Sequence, residues 1–596
     1  METIGFTNFR NFKEFKTLPL EGVTFLVGPN NSGKSSITKA CRLFAENVAN
    51  TLQSSDYIQE MSDWVLGSFG KFNVTNVCKS FARAKNVAAS DREDMSFHSR
   101  CGYFDISIVP SKNGRIQELR VYDIIDDCTW VCPKPTSAYN ERKEHGRTHA
   151  DYNYLEYSNK LIQNILRYVL KTKKGLSEKY IAKLNDIIKD LEKDKTKHRI
   201  ENSGSWDFIP FRFRLGTYLI LENNGCPVNQ LQNEVDLPDE FKQFDGDEYV
   251  SHYKIIDSAN LIEVDNFFKR IANDYECAVF DMSQRLFYMH AFDYEIQSSF
   301  RVDAKDDVSQ IIKDFYKKHY RDEWKKCSSY DVDGLDPYEY FLMTKLAGKI
   351  PKDIKEKRDA FIDGSGQWIK EWMCNLGIGK DFEIRSTNDG EILSVRIKNM
   401  SDQWIPLSDL GRGVSQLFLL LLRIVFAIPF DYFDDSPIAT QMRVEMDSYP
   451  ENVHEAALYK QEKEDAEFPD GYKRYSMSKK DQILFIVEEP EQNLHPALQS
   501  KLADLFLEVY KKFGINVLVE THSEYLIRKT QVLVAQQNKQ ADKSSVDSPF
   551  KVYYIPQPED GKPYEMEYLP NGAFSNSFGA GFYDEASLLS FQVLTA

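Results

Sequence analysis

The sequence lacks a hydrophobic run of membrane-spanning length. Its longest apolar stretch, Leu417 to Phe430, is interrupted by Arg423 and is shorter than the roughly 20 residues that a transmembrane helix needs. The residues after Met1 show no basic region followed by an apolar one, as a secretory signal peptide would. We therefore expect a cytoplasmic protein with no membrane contact, and we interpret Leu417 to Phe430 as a buried helix.

Cysteine and positive charge are also scarce. The closest of the nine cysteines, Cys128 and Cys132, have no histidine or second cysteine pair nearby to complete a metal site. Free thiols in a reducing compartment are the expected state. The formal net charge of −16 argues against coating a nucleic-acid backbone, because that requires a positive surface. Any contact with DNA is therefore expected to be local.

A phosphate-binding pattern lies near the N-terminus. Residues 28–35 read Gly-Pro-Asn-Asn-Ser-Gly-Lys-Ser, which fits G-x-x-x-x-G-K-[ST]. In this pattern backbone N–H groups surround phosphates, the lysine neutralises them, and the last hydroxyl binds magnesium. A buried-strand pattern at Val23 to Val27 precedes the loop, and a helix pattern with apolar Ile37 and Phe44 follows it. The candidate ATP-binding residues of the loop are Gly28, Asn30, Asn31, Ser32, Gly33, Lys34, Ser35 and Ser36.

An apolar run from Ile483 to Val487 ends in Glu488 and Glu489. Successive strand residues face opposite sides, so the two carboxylates are expected to do different jobs. We assign Glu488, together with Ser35, to magnesium binding. We assign Glu489 to the attacking water as a catalytic residue, and Lys34 of the loop is a further catalytic residue. For an isolated pair of this kind, solvated acids at a strand end are the alternative.

A strand–helix–strand crossover follows. Asn493 is a possible helix cap before Pro496, Gly514 ends the helix, and a second buried strand reaches His522. Open parallel sheets carry their ligand chemistry at the carboxyl ends of strands. His522 is therefore predicted to be catalytic, and a structural histidine is the alternative.

A glycine-containing turn precedes the apolar helix. Glycines before a helix N-terminus allow a phosphate to approach free N–H groups. An ordinary loop-to-helix start is the alternative reading. The candidate nucleotide-binding residues here are Gly411, Gly413, Ser415 and Gln416.

The order of these motifs resembles the ABC-type ATPase heads of SMC-like proteins and, more closely, of OLD-family and related bacterial ATPases. The segment Phe6 to Phe12, the phosphate loop, and Glu-Glu-Pro-Glu followed by Leu-His-Pro carry the resemblance. It implies an α/β fold of the P-loop NTPase class, ABC/SMC-head type, with a mixed sheet and flanking helices, split by a mostly helical insertion. ATP and Mg²⁺ are the implied cofactors.

The resemblance also implies roles. The segment from Gly411 to Gln416 would be the signature that reaches the γ-phosphate of the other subunit in a homodimer, with either Ser415 or Ser408 touching phosphate. Asn493 would lie in the dimer-interface loop, and His522 would contact the γ-phosphate. The sequence departs from generic ABC proteins in carrying Glu488 where an aspartate is usual, and we assign no residue to the glutamine that usually follows the first lobe.

The expected domain plan is a first lobe at 1–110, a mixed helical and strand insertion at 111–365, and a second lobe at 366–596 that contains an acidic insertion at 431–481. After His522 no glutamate is followed by an Asp-x-Asp strand, so we predict no Toprim nuclease. Stand-alone members of the group resemble ATPase subunits of anti-phage systems such as the Septu, PARIS and retron-associated types. We therefore expect a separate effector, a nuclease or toxin, docked on 431–481. A repair ATPase of the RecF kind and a nucleotide-gated scaffold with slow turnover are the alternatives.

Overall fold

The computed structural model describes two compact units of the chain. The first takes its residues from 1–18 and 40–284, and the second from 19–39, 285–449 and 477–596. No helix in the described part of the chain is both long and apolar enough to cross a membrane. The described ranges are 1–48, 72–74, 77–86, 93–110, 116–132, 154–173, 175–193, 197–201, 278–279, 285–291, 296–297, 299–301, 306–319, 352–387, 392–428, 483–540, 548–557, 560–579 and 592–593, together with the single positions 267, 271, 275, 282, 304, 546, 582 and 589.

The strands and helices are numbered in chain order. The strands are β1 (Thr3–Phe9), β2 (Phe12–Pro19), β3 (Val23–Val27), β4 (Ser96–Cys101), β5 (Phe104–Pro110), β6 (Ile116–Asp123), β7 (Cys128–Cys132), β8 (Tyr154–Ser158), β9 (Lys197–Glu201), β10 (Leu286–Met289), β11 (Phe300–Arg301), β12 (Asp381–Thr387), β13 (Ile392–Lys398), β14 (Trp404–Pro406), β15 (Leu484–Glu488), β16 (Asn516–Glu520), β17 (Phe550–Tyr554) and β18 (Tyr564–Met566). The helices are α1 (Lys34–Val48), α2 (Phe81–Ala84), α3 (Asn159–Thr172), α4 (Glu178–Leu191), α5 (Asp307–His319), α6 (Lys352–Leu376), α7 (Arg412–Ala427), α8 (Pro496–Phe513) and α9 (Glu524–Gln540), with a 3₁₀ turn at Leu407–Asp409.

The first unit is built on an eight-stranded sheet. Its strand order is β2-β1-β4-β5-β6-β7-β8-β9, and the neighbours from β1 to β9 pair antiparallel. Burial alternates along β5, as expected for a sheet with one face on a core. Pro110 ends β5, and β6 to β9 continue the same sheet. The sheet therefore includes residues on both sides of position 110, where the first lobe was expected to end.

An aromatic cluster forms part of the core of the first unit. The rings of Phe6 and Phe15 are stacked with centroids 4.8 Å apart, and Phe9 meets Phe97 edge to face at 5.2 Å. Such pairs add about 0.5–1.5 kcal/mol beyond the burial of their area. The aromatic N-terminal segment singled out in the sequence is thus, in structural terms, a packing element that joins β1 to β4.

The second unit contains a six-stranded sheet in the order β10-β15-β16-β3-β17-β18. The first five strands are parallel, and only β18 pairs antiparallel. The residues of β3, β15 and β16 are all buried, because both faces of a parallel sheet are covered. The glycine-rich loop joins β3 to α1. These features confirm an α/β fold of the P-loop type with a mixed sheet.

The crossover from β15 to β16 confirms the strand–helix–strand prediction. Pro496 is the first residue of α8, and Gly514 ends the helix in the left-handed conformation with φ +67°. The cap differs from the prediction. His495 accepts the N–H of Ala497 at 3.3 Å, whereas Asn493 lies in the preceding turn with φ +57°. A left-handed residue two positions before the cap cannot supply the extended backbone that a cap requires.

The apolar helix α7 is buried, as predicted, but it begins at Arg412 rather than at Leu417. Two hydrogen bonds and an ion pair join it and the residue that follows it to α5. Lys318 donates to the carbonyls of Phe426 and Ile428 at 2.9 and 2.8 Å, and Arg423 pairs with Asp314 at 3.2 Å. The expected insertion at 431–481 lies outside the described residues.

Buried His319 on α5 predicts a pH-dependent stability. Its Nδ1 lies 3.2 Å from the carbonyl oxygen of Phe315 and its Nε2 lies 2.8 Å from Ser365 Oγ. Burial, and secondarily Lys318, lower its pKa to about 3. Between pH 3 and about 6.5 the unfolded chain binds a proton that the folded chain does not, so stability should fall as the pH falls through this range.

This contribution is measurable by urea unfolding between pH 5 and pH 8. The wild-type free energy of unfolding should decline below about pH 6.5, with at most about 1.4 kcal/mol per pH unit from this group. His319→Gln should remove that part of the slope. Parallel stability curves for the two proteins would contradict the assignment.

Candidate functional site

The candidate site lies where three neighbouring parallel strands end. In register, Glu488 of β15 lies beside Glu520 of β16, and Glu520 lies beside Leu26 of β3. Because carboxyl ends of parallel strands meet at one edge of a sheet, the glycine-rich loop and the two acidic turns emerge together. Residues from three distant parts of the sequence thereby share one site.

The glycine-rich loop has the backbone of an anion cradle. Gly28 has φ +148°, Asn31 φ +63° and Gly33 φ +104°, and a Cβ on Gly28 would lie 2.2 Å from the carbonyl oxygen of Ile555. Ser36 N–H turns back to Gly33 O at 2.8 Å and starts α1. The first N–H groups of a helix have no acceptor within the helix. The loop therefore presents backbone donors where a phosphate fits.

Lys34 is buried at the centre of this loop, with 3% of its surface exposed. Its Nζ donates to the carbonyls of Gly28 at 3.0 Å and Pro29 at 2.8 Å. Burial lowers its pKa, and the charges of Glu520, Glu489 and Glu491 act against this effect. A cation is thus held beside the phosphate cradle among several carboxylates.

Glu488 is held by three donors. Thr38 Oγ1 donates to its Oε1 at 2.8 Å, Tyr288 donates its hydroxyl to the same oxygen, and His290 Nδ1 lies 3.4 Å from Oε2. Burial acts to raise the pKa of Glu488, but hydrogen bonds from His290, Tyr288 and Thr38 hold it below the usual value. Glu488 is therefore an ionised carboxylate with both oxygens engaged.

The Ser35 hydroxyl bonds a different carboxylate from the one paired with it in the sequence analysis. Ser35 Oγ donates to Glu520 Oε1 at 2.7 Å, whereas Glu488 receives Thr38, one helical turn farther along α1. The physical reason is the strand order, since β16 lies between β15 and the loop strand β3. Burial raises the pKa of Glu520 to about 7.

Glu489 is half-exposed in a strained backbone conformation. Its φ is +45°, and such outliers cluster at functional sites. Its N–H donates to the carbonyl of Glu520 at 2.7 Å, its Oε2 accepts from Gln492, and its Oε1 lies 4.0 Å from His522 Nε2. Burial and Lys34 lower the pKa of His522 while Glu489 opposes them. The structure thus brings together the two residues predicted to be catalytic.

His522 is also positioned through its backbone. Its N–H donates to Glu491 Oε1 at 2.6 Å, and Glu491 is itself buried. Burial raises the pKa of Glu491. The turn after β15 therefore fixes the turn after β16 directly.

The predicted signature residues face different directions. Ser415 Oγ donates to the carbonyl of Leu407 at 3.1 Å, and Gln416 Nε2 donates to the carbonyl of Pro490 at 3.2 Å. Both side chains are buried in their own chain. A Cβ on Gly413 would lie 2.5 Å from Asn493 O, so the start of α7 packs directly on the acidic turn.

Other signature positions are open to solvent. Gly411 and Arg412 are exposed, and half-buried Ser408 donates its hydroxyl to Asp409 at 2.9 Å. Asn493 is exposed as well. Of the two serines left open by the sequence, Ser415 is buried within the chain and Ser408 lies nearer to the surface.

Sequence reasoning missed six residues that line the site. Glu520 had a signal: it ends a buried strand as Glu488 does, and equal register places both side chains on the same face. Tyr288 and His290 had none, because only tertiary structure places β10 beside β15. The missed residues are Thr38, Tyr288, His290, Glu491, Gln492 and Glu520.

The donor set fits a magnesium–nucleotide complex. The carboxylates of Glu520, Glu489 and Glu491 act on Lys34, and the carboxylate of Glu488 acts on Glu520. Three buried oxygen atoms of the site, Ser32 Oγ, Glu491 Oε2 and Glu520 Oε2, have no hydrogen-bond partner among the described residues. Such atoms are costly to leave unpaired, and an excess of buried negative charge favours a divalent cation.

A family model described as an AAA ATPase domain matches residues 1–429. The chain belongs to this family. A second model, described as "AAA domain, putative AbiEii toxin, Type IV TA system", matches residues 340–528 of this AAA ATPase. No curated protein matches this chain.

Solved structures similar to this AAA ATPase include SMC head domains. The Pyrococcus furiosus Smc head domain with an extended coiled coil, bound to the C-terminal domain of ScpA, is 11% identical with a TM-score of 0.30, covering 100% of this chain and 99% of that chain. The Thermotoga maritima SMC head domain is 8% identical with a TM-score of 0.26, covering 95% and 98%.

The glycine at position 28 gives a test of the loop geometry. Gly28→Ala places a methyl group against the Ile555 carbonyl at a positive φ, so we expect a loss of more than about 2 kcal/mol of stability. Gly366→Ala on α6 is the matched control, because a Cβ there has nothing within 4 Å, and it should stabilise by about 0.5–1 kcal/mol. Urea unfolding measures both, and equal midpoints would contradict the described loop.

Proposed function

We propose that this AAA ATPase binds ATP with magnesium at the glycine-rich loop and hydrolyses it. The observation that carries the proposal is Lys34, buried within the loop and surrounded by carboxylates at the ends of β15 and β16. The loop N–H groups and Lys34 neutralise phosphate oxygens. Ser35 and Glu488 are the residues that we propose to hold magnesium. Bound magnesium would supply charge neutralisation at the phosphates.

Glu489 is the proposed general base. It is more exposed than Glu488, and it is oriented by Gln492 and by its strained backbone. His522 lies close enough to Glu489 to share a water or a phosphate oxygen with it. The division of labour proposed from strand alternation is thus supported by the different surroundings of the two glutamates.

We further propose that two copies close around two ATP molecules. The exposed start of α7, at Gly411 and Arg412, is the surface that would meet the partner's nucleotide. Gln416 hydrogen-bonds the turn that follows Glu489 within one chain. Closure at α7 would therefore be transmitted to the catalytic turn.

Two substitutions separate binding from turnover. Lys34→Ala should weaken ATP binding more than tenfold, because it removes the buried cation. Glu489→Gln should retain binding, lower turnover by roughly 100-fold or more, and accumulate a dimer in the presence of ATP. Isothermal titration, phosphate release and light scattering report the three quantities.

Lys512→Ala provides the control for Lys34→Ala, because Lys512 lies on the surface of α8. It should bind and hydrolyse ATP as the wild type does. Equal turnover by wild type and Glu489→Gln would refute the catalytic assignment.

The biological role that we propose is control of a separate effector in defence against phage. The resemblance to OLD-like ATPases motivates it. The match to a second family that is described as a putative toxin of a type IV toxin–antitoxin system favours defence over DNA repair. No nuclease activity is proposed for the chain itself. A metal-dependent plasmid cleavage by the pure protein, abolished by mutating a carboxylate outside the ATP site, would contradict this.

The effector is proposed to dock on the acidic segment 431–481, which lies outside the described residues. Its acidity suits a basic partner such as a nuclease. Deleting residues 453–473 should abolish co-purification of a second protein from the native host while ATP turnover stays unchanged. Retention of that protein by the deletion variant would overturn the docking hypothesis.

A further inference from the structure

Glu520 ends β16 beside the phosphate loop, and the proposed reaction gives it no role so far. Its Oε1 accepts the Ser35 hydroxyl hydrogen at 2.7 Å. Its Oε2 is buried and has no hydrogen-bond partner among the residues that the structure describes. A buried carboxylate oxygen loses its hydration and gains nothing in return unless something binds it. The geometry therefore indicates a ligand for Oε2.

The surrounding charges define the chemistry of that ligand. The carboxylates of Glu488 and Glu489 and the ammonium group of Lys34 all act on Glu520, and the two neighbouring carboxylates favour a cation as the ligand of Oε2. The Nζ of Lys34 donates to the carbonyls of Gly28 and Pro29 and makes no hydrogen bond to Glu520 Oε2. A hard divalent cation suits oxygen ligands of this kind.

The hydrogen bond that Ser35 donates to Glu520 sets the direction of the lone pairs on the Ser35 hydroxyl oxygen. A serine hydroxyl has one hydrogen and two lone pairs. Because the hydrogen points to Glu520, the lone pairs are left for another partner. A hydroxyl held in this way is oriented to ligate a cation without rearrangement.

Glu488, unlike Glu520, has no carboxylate oxygen that is without a partner. Its Oε1 receives Thr38 and Tyr288, and its Oε2 faces His290. Glu520, in contrast, receives one donor on one oxygen. Of these two neighbouring carboxylates, Glu520 is the one with an unused buried oxygen beside the loop serine.

We propose that Glu520 is a carboxylate of the magnesium site. Its Oε1 fixes the Ser35 hydroxyl, and its Oε2 faces the ion or one of the water molecules that magnesium retains. This inference rests on the proposed ATP-binding function and adds a residue to the same site.

Manganese binding tests the inference independently of turnover. Mn²⁺ is titrated by electron paramagnetic resonance in the presence of adenylyl imidodiphosphate, an ATP analogue that is not hydrolysed. Glu520→Gln should raise the Mn²⁺ dissociation constant about tenfold or more, in line with the 10- to 100-fold losses seen when residues supporting a metal site are removed. Glu508→Gln makes the same change of charge on α8, where the carboxylate accepts from Trp368, and should bind Mn²⁺ as the wild type does.

Nucleotide binding in EDTA separates the role of Glu520 in metal binding from the proposed binding of ATP by the chain. Glu520→Gln should bind the analogue in EDTA within about threefold of the wild type, since the loop and Lys34 are intact. Glu520→Asp retains the charge but is shorter by one methylene group, and it should also weaken Mn²⁺ binding. Unchanged Mn²⁺ affinity in the folded Glu520 variants would overturn the inference alone, whereas a wild type that binds no nucleotide would overturn the proposed function.

Discussion

Parallel pairing of β16 between β3 and β15 is the constraint on which the rest of the site depends. The register is secured at the opposite ends of the strands, where Gly22 N–H donates to Asn516 Oδ1 at 2.8 Å and Val517 N–H donates to Gly22 O at 2.9 Å. A slip of one residue would turn every side chain to the other face. Glu520 would then leave Ser35, and the carboxylates would no longer converge on Lys34.

Bringing these charged groups together in a buried site requires partners that stabilise each of them. Thr38, Tyr288 and His290 stabilise ionised Glu488, while loop carbonyls hold Lys34. Glu491, Glu520 and Ser32 each retain a buried oxygen with no partner among the described residues. The unpartnered atoms beside the phosphate loop are therefore the ones that the proposed ligand would engage.

The helix α7 connects the site to the rest of the second unit. Its N-terminal turn packs on the turn after Glu489 through Gly413 and Gln416. Its C-terminal carbonyls are capped by Lys318 of α5, which also satisfies the orphan acceptors of the helix end. Because α7 is held at both ends, it would connect the proposed partner surface at its N-terminus to the turn that follows Glu489.

Local pattern alone determined the elements that carry the chemistry: β3, the glycine-rich loop, α1, the crossover through α8, and the acid and histidine at the strand ends. These are short-range features, since period, glycine placement and a helix-ending glycine are all written in neighbouring residues. Tertiary structure decided which strands are neighbours. It placed Tyr288 and the neighbouring His290 against Glu488. It also made Glu520, rather than Glu488, the hydrogen-bond partner of Ser35. The side chains of Ser415 and Gln416 are buried for the same reason. Strand order joins residues hundreds of positions apart, and spacing along the chain does not specify it.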